Sequence, residues 1–194
     1  MPISILFMGP VGAGKTEAIR TISDMQTLDT DHRATCQTRL LKSTTTVAMD
    51  MGCLQLAGTD KLRLLGTPGQ ERFDFMWEIL LKQAHGVIVM INHSSADPLG
   101  DLESQLCAVE QQASSRPLPV VVAVTHTDLA SHASLDMYHA HLRHRGSASL
   151  PVLAMDARDP RQVQRALMTM TAQLEMLPFP LSRFATSRAA PRWH

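Results

Sequence analysis

The sequence has no excess charge of either sign: 18 basic residues stand against 18 acidic ones in 194 positions. That balance gives no electrostatic footprint for nucleic acid or for a broad membrane-binding face. Cysteine is scarce, with Cys36, Cys53 and Cys107 only. Three widely spaced thiols form neither a disulfide framework nor a metal-ligand pattern, and they read as reduced cysteines of a cytoplasmic protein. No apolar run approaches the roughly 18 residues of a membrane span. Met1-Pro2-Ile3 has no basic leader, position 2 is not Gly, and the chain ends Arg192-Trp193-His194. Neither a signal peptide nor a lipid anchor is therefore expected. The histidines His139, His141 and His144 lie on a polar stretch without H-E-x-x-H spacing, which argues against a metal site there.

What is present begins with Gly9-Pro10-Val11-Gly12-Ala13-Gly14-Lys15-Thr16, which fits G-x-x-x-x-G-K-S/T, the Walker A phosphate loop. The apolar run Ile3–Met8 precedes it and Glu17-Ala18-Ile19-Arg20-Thr21-Ile22 follows, the strand, turn and helix that the motif requires. Glycines allow a tight curl in which successive N–H groups form an anion nest, and the helix beginning near Lys15 adds its dipole. The phosphate cradle is thus Gly9, Val11, Gly12, Ala13, Gly14, Lys15, Thr16 and Glu17. Lys15 can reach the β- and γ-phosphates, and the Thr16 hydroxyl can ligate Mg²⁺.

A chain of this length suits one domain with a single core. Four short runs, Ile3–Met8, Gly86–Ile91, Leu118–Val124 and Leu150–Met155, read as strands buried on both faces of a parallel sheet. Between them lie helical faces: Leu102, Leu106, Val109 and Ala113; Leu135, Tyr138 and Leu142; and Val163, Ala166, Leu167, Met170 and Leu174. Asp159-Pro160 supplies an N-cap and first helical residue for the last of these. Val47–Leu56 and Lys61–Leu65 are joined by too few residues for a helix and predict a β-hairpin. The expected fold is α/β, a doubly wound, mostly parallel six-stranded P-loop NTPase sheet with one antiparallel edge strand and helices on both faces. Residues 1–176 form the domain. Residues 177–194 read as a basic, proline-containing tail, and 26–43 as a long polar loop.

Two further stretches carry family character. Thr46-Val47-Ala48-Met49-Asp50 enters the edge strand, and Thr67-Pro68-Gly69-Gln70-Glu71-Arg72-Phe73 leaves the next. The chain here resembles the Ras-like small GTPases, with these as switch I and switch II. Thr125-His126-Thr127-Asp128 stands where the family's N-K-x-D reads the base, and Met155-Asp156-Ala157-Arg158 where its S-A-K loop would be. Gly66 replaces the usual Asp. With these departures the chain is similar to a bacterial subgroup, the gliding-motility (Mgl-type) and conservon-associated GTPases.

The resemblance implies Mg²⁺ with GTP or GDP, held through Thr16 and Thr46. The Gly69 N–H would donate to the γ-phosphate and Gln70 would orient the attacking water. Thr125, His126, Asp128, Asp156, Ala157 and Arg158 would form the base pocket. Asp128 can accept from N1–H and the exocyclic amine of guanine, a pair that adenine lacks. That favours GTP over ATP by roughly ten- to a hundred-fold or more. Asp50, four residues after Thr46 and on the same face of a regular strand, is a candidate to replace the carboxylate absent at Gly66. Arg33 and Arg39 of the long loop are candidates for a cis arginine finger, worth about 10³–10⁵ in rate where one is used. The implied protein is a cytoplasmic switch, monomeric or part of a hetero-complex, with effectors and a Roadblock-domain activating partner. A nucleotide-dependent binding module without hydrolysis is the alternative, and a P-loop kinase fits less well.

Overall fold

The computed structural model describes residues 3–24, 50–56, 61–68, 74–112, 116, 118–129 and 134–177. The first apolar run becomes β1 (Ile3–Met8), buried from its second residue onward. It alternates Ile5 and Phe7 toward one layer of helices with Leu6 and Met8 toward the other. Helix α1 (Lys15–Ile22) follows the P-loop. The hairpin strands β2 (Met51–Gln55) and β3 (Lys61–Gly66) pair antiparallel. Then come α2 (Asp74–Gln83), β4 (Gly86–Asn92), α3 (Pro98–Gln112), β5 (Val120–Thr125), α4 (Asp136–Arg145), β6 (Val152–Ala154) and α5 (Pro160–Met176).

The sheet order is β2-β3-β1-β4-β5-β6. All neighbours are parallel except β2 with β3, so the expected edge strand and doubly wound α/β architecture are both present. One core lies under α1 and α5, through Ala18, Ile19, Val163, Ala166 and Met170. The other lies under α2, α3 and α4, through Leu80, Leu102, Leu106, Tyr138 and Leu142. Because the chain leaves β1 toward β3 and later crosses to β4, the carboxyl end of β1 is the switch point where such sheets bind ligands.

Two strands start later than the apolar pattern suggests, and proline explains both. Pro119 and Pro151 lack an N–H for the ladder, so β5 and β6 begin just after them, while their carbonyls still accept from Val87 and Val122 at 2.9 Å. The Asp159 side chain caps α5 by accepting from the Arg161 N–H, with Pro160 opening the helix as expected. Arg116 donates to the carbonyls of Leu81, Lys82 and Ala84 at the end of α2. Among the described residues no helix is long and apolar enough to cross a membrane.

Candidate nucleotide-binding site

The P-loop turns out of β1 through backbone that few residues tolerate. Gly14 sits at φ 87°, and a Cβ there would also come within 3.1 Å of the Ala157 methyl. A Cβ on Gly9 would run into the carbonyl oxygen of Met90. These two glycines therefore let the loop lie against β4 and against the segment after β6. Val11 is exposed at the rim, Ala13 is buried, and the Ala13 N–H reaches the Pro10 carbonyl at 3.3 Å. Gly14 caps α1 without any side-chain hydrogen bond, which leaves the first-turn N–H groups of Lys15, Thr16 and Glu17 without intrahelical acceptors. Lys15 is buried, and its Nζ donates to the carbonyls of Gly9 (2.7 Å) and Pro10 (2.8 Å). Burial pushes its pKa down to about 8, against the opposing pull of the Asp50 charge.

Asp50 approaches from the edge of the sheet. Its carbonyl accepts from the Gly66 N–H at 2.8 Å, and its Oδ2 accepts from the Thr16 hydroxyl. A Cβ on Gly66 would lie 3.0 Å from the Asp50 Cβ and 3.4 Å from its Oδ2. Asp50 thus fills the space that a side chain at 66 would enter, and it brings a carboxylate to the Thr16 hydroxyl from the neighbouring strand. Next in the chain, Thr67 donates its N–H to the Phe7 carbonyl at 2.9 Å. The Thr67 Oγ1 is buried with no partner among the described residues.

The far side of the site is built from the ends of β5 and β6. The buried Thr125 hydroxyl contacts the carbonyls of Ala13 (3.1 Å) and Ile91 (3.2 Å), tying this region to the P-loop across the sheet. His126 takes φ 58°, the left-handed region rarely entered by non-glycine residues, and its Nδ1 lies 2.9 Å from the Thr125 Oγ1. Asp128 follows on a single 3-10 turn, Thr127–Leu129. Arg158 faces it: Nη2 is 3.1 Å from the Asp128 Oδ2 and 2.9 Å from the Asp156 Oδ2. Arg158 Nε and its backbone N–H both donate to the Asp156 Oδ1 at 2.9 Å. These donors hold the Asp156 carboxyl below its ordinary range. The Asp156 N–H donates to the Gln162 Oε1 at 2.9 Å, while the Gln162 amide donates to Asp159.

The structure therefore gathers Gly9, Val11, Gly12, Ala13, Gly14, Lys15, Thr16, Glu17 and Asp50 at one end of the sheet. Thr125, His126, Asp128, Asp156, Ala157 and Arg158 join them there. Thr46, Gly69, Gln70, Arg33 and Arg39 lie outside the described residues. Gln162 was absent from the sequence reading, although Asp159-x-x-Gln162 carries the spacing of a helix-capping box.

Residues 26–187 match the family described as "conserved hypothetical ATP binding protein". The chain belongs to that family. The matched region starts after the P-loop and includes Asp50, Asp128 and Arg158. The chain is also similar to the Ras-related protein RIC1 of Oryza sativa subsp. japonica, at 27% identity over 117 residues. That match covers 60% of this chain and 57% of the rice protein, so it spans little more than half of the relative's length.

The family match and the fold together make this chain a nucleotide-binding protein with the P-loop NTPase architecture. The geometry suits that chemistry. Unpaired N–H groups and a cationic Lys15 receive polyphosphate, while Thr16 and Asp50 present oxygens of the type that hard divalent cations take.

Proposed function

We propose that this protein is a guanine-nucleotide switch that binds Mg²⁺ with GTP or GDP and hydrolyses GTP slowly until a partner accelerates it. One observation carries the reading: the Thr125 hydroxyl reaches the P-loop carbonyl of Ala13, so Asp128 shares the ligand edge with Lys15 and Thr16. A carboxylate at that edge accepts from the paired N1–H and amine donors of guanine. The base pocket is Thr125, His126, Asp128, Asp156, Ala157 and Arg158, and the phosphate cradle runs from Gly9 to Glu17.

Thr16, Asp50 and, from switch I, Thr46 would hold Mg²⁺. The contact between Thr16 and Asp50 supports the fit, since both oxygens already meet beside the P-loop. The cation supplies neutralisation of the β- and γ-phosphate charge. Lys15 adds a further positive charge to those phosphates, the Gly69 N–H donates to the γ-phosphate, and Gln70 orients the attacking water. Arg33 or Arg39 supplies the cationic finger. The switch I and switch II motifs support membership of the Mgl-type and conservon-associated subgroup, and with it a Roadblock-domain activating partner and a cytoplasmic setting.

The family description favours a second reading, in which the nucleotide is ATP. Single-turnover hydrolysis of radiolabelled GTP, challenged with excess unlabelled ATP, separates them. The switch reading requires slow GDP release as product, protection of the signal against ATP, and loss of turnover in Gln70→Leu. Stronger competition by ATP than by unlabelled GTP would move the assignment to adenine, and equal competition would remove base selection. Tight GTP binding with no turnover, alone or with a Roadblock-domain partner, would leave a binding module.

A further inference from the structure

The segment Asp156-Ala157-Arg158 contains a feature that stability does not explain. Arg158 joins two carboxylates, with its Nη2 shared between Asp128 (3.1 Å) and Asp156 (2.9 Å). The Arg158 side chain is 65% exposed and that of Asp128 55%. An ion pair so open to solvent adds little to folding. Its geometry is nevertheless fixed from behind, because Asp156 takes three donors from Arg158 and is itself anchored through its N–H to Gln162 on α5. Ala157, between them, packs close to Gly14 of the P-loop, where an added Cβ would come within 3.1 Å of the Ala157 methyl. The guanidinium is thus held by Asp156, whose backbone is tied to the start of α5, and it also meets the one carboxylate assigned to reading the base.

We infer that Arg158 is a positioning residue that sets base discrimination by holding the Asp128 carboxylate in place against the like charge of Asp156. A carboxylate has about four acceptor positions, so an oxygen bonded to Arg158 can still receive the base's donors. Without the guanidinium, Asp128 and Asp156 face each other as two anions, and Asp128 turns away from the base. Asp156 and Arg158 then act as a pair: the acid holds the arginine, and the arginine orients Asp128. The inference rests on the proposed reading of guanine by Asp128.

The test uses the full chain with a fluorescently labelled GDP displaced by GDP, IDP or ADP. Wild type should prefer GDP, bind IDP less tightly because hypoxanthine lacks the exocyclic amine, and bind ADP least. Arg158→Ala should weaken GDP about ten-fold, weaken IDP less and leave ADP unchanged, so that the GDP-to-ADP ratio collapses. Arg158→Lys should restore most of that ratio, since an ammonium can still lie between two carboxylates. Asp156→Asn in the Arg158→Ala background should also recover part of it by removing the repulsion. Equal weakening of GDP, IDP and ADP in Arg158→Ala would reduce Arg158 to a loop support, and no change in any of them would also overturn the inference. Equal affinity of wild type for GDP and ADP would instead overturn the guanine reading on which it rests.

Discussion

At the scale of single residues, Lys15 and Thr125 make contrasting demands on the site. Lys15 is buried among carbonyls, and burial brings its pKa down to about 8 from 10.5. Between those two values the unfolded chain binds more protons at this position than the folded one. Nucleotide-free stability therefore rises as pH climbs from 8 toward 10.5. Phosphate binding needs the ammonium form, so affinity moves the other way, falling by up to about ten-fold per pH unit above 8. Titration of labelled GDP between pH 7 and 9, run beside nucleotide-free melting curves, should give these opposite slopes, and Lys15→Arg should flatten the affinity profile. Parallel slopes, or a flat wild-type profile, would remove Lys15 as the titrating contact. Thr125 acts through one hydroxyl between Ala13 and Ile91. Thr125→Val keeps the shape and removes that bond. The expected cost is about 1–3 kcal/mol of stability, with GDP and ADP weakened alike because the P-loop rather than the base contact is loosened. A change in the GDP-to-ADP ratio in this variant would assign Thr125 to the base instead.

At the scale of elements, the antiparallel hairpin gives the site its departure from the usual pattern. The register Met51↔Leu65 and the Gly66 N–H to Asp50 carbonyl bond put Asp50 opposite Gly66. On the proposed reading, Asp50 supplies from the residue before the second strand the carboxylate that Gly66 of the third strand lacks. Asp50→Ala should therefore abolish most of the Mg²⁺ dependence of GTP affinity. Gly66→Asp alone should destabilise the protein, because its Cβ would press on Asp50 at 3.0 Å and bring a like charge beside it. Asp50→Ala with Gly66→Asp should regain Mg²⁺-dependent affinity, read by titrating labelled GTP with and without EDTA. If the double variant stays insensitive to Mg²⁺, the two positions do not exchange roles. Much of this architecture is legible in the sequence: short Val- and Ile-rich runs bounded by turn residues favour buried strands, and Asp159-Pro160 before an apolar 3.6 period favours a helix start. The hairpin register was harder, because a one-residue slip changes which side chain faces Thr16, and only the paired ladder fixes it. The contacts from Thr125 to Ala13, Arg116 to the end of α2, and Arg158 to Asp128 join residues 112, 35 to 32, and 30 positions apart. No local period encodes contacts of that kind.

At the scale of the whole molecule, the second core carries a structural clasp of its own between α3 and α4. Arg145, the last residue of α4, donates to Glu103 and Glu110 on α3, and His141 lies 3.0 Å from Glu103. Hydrogen bonds from Arg145, then from His141, hold the Glu103 carboxyl down to about 2. The folded state then binds fewer protons here than the unfolded chain, so this stabilisation is present above the ordinary carboxyl value near 4.5. It is lost as pH falls from there toward 2. The group is two-fifths exposed, so solvent screening limits the contribution to about 1 kcal/mol, or roughly 2–4 °C in melting temperature for a domain of this size. Glu103→Gln should lower the melting point by about that amount at pH 7. It should flatten the loss of stability between pH 4.5 and 3, and leave the affinity for labelled GDP at pH 7 unchanged. A Glu103→Gln variant with altered GDP affinity would mean that the α3–α4 clasp communicates with the P-loop through the sheet. The expected result instead assigns the clasp to holding α3 and α4 together, leaving nucleotide chemistry to the carboxyl edge.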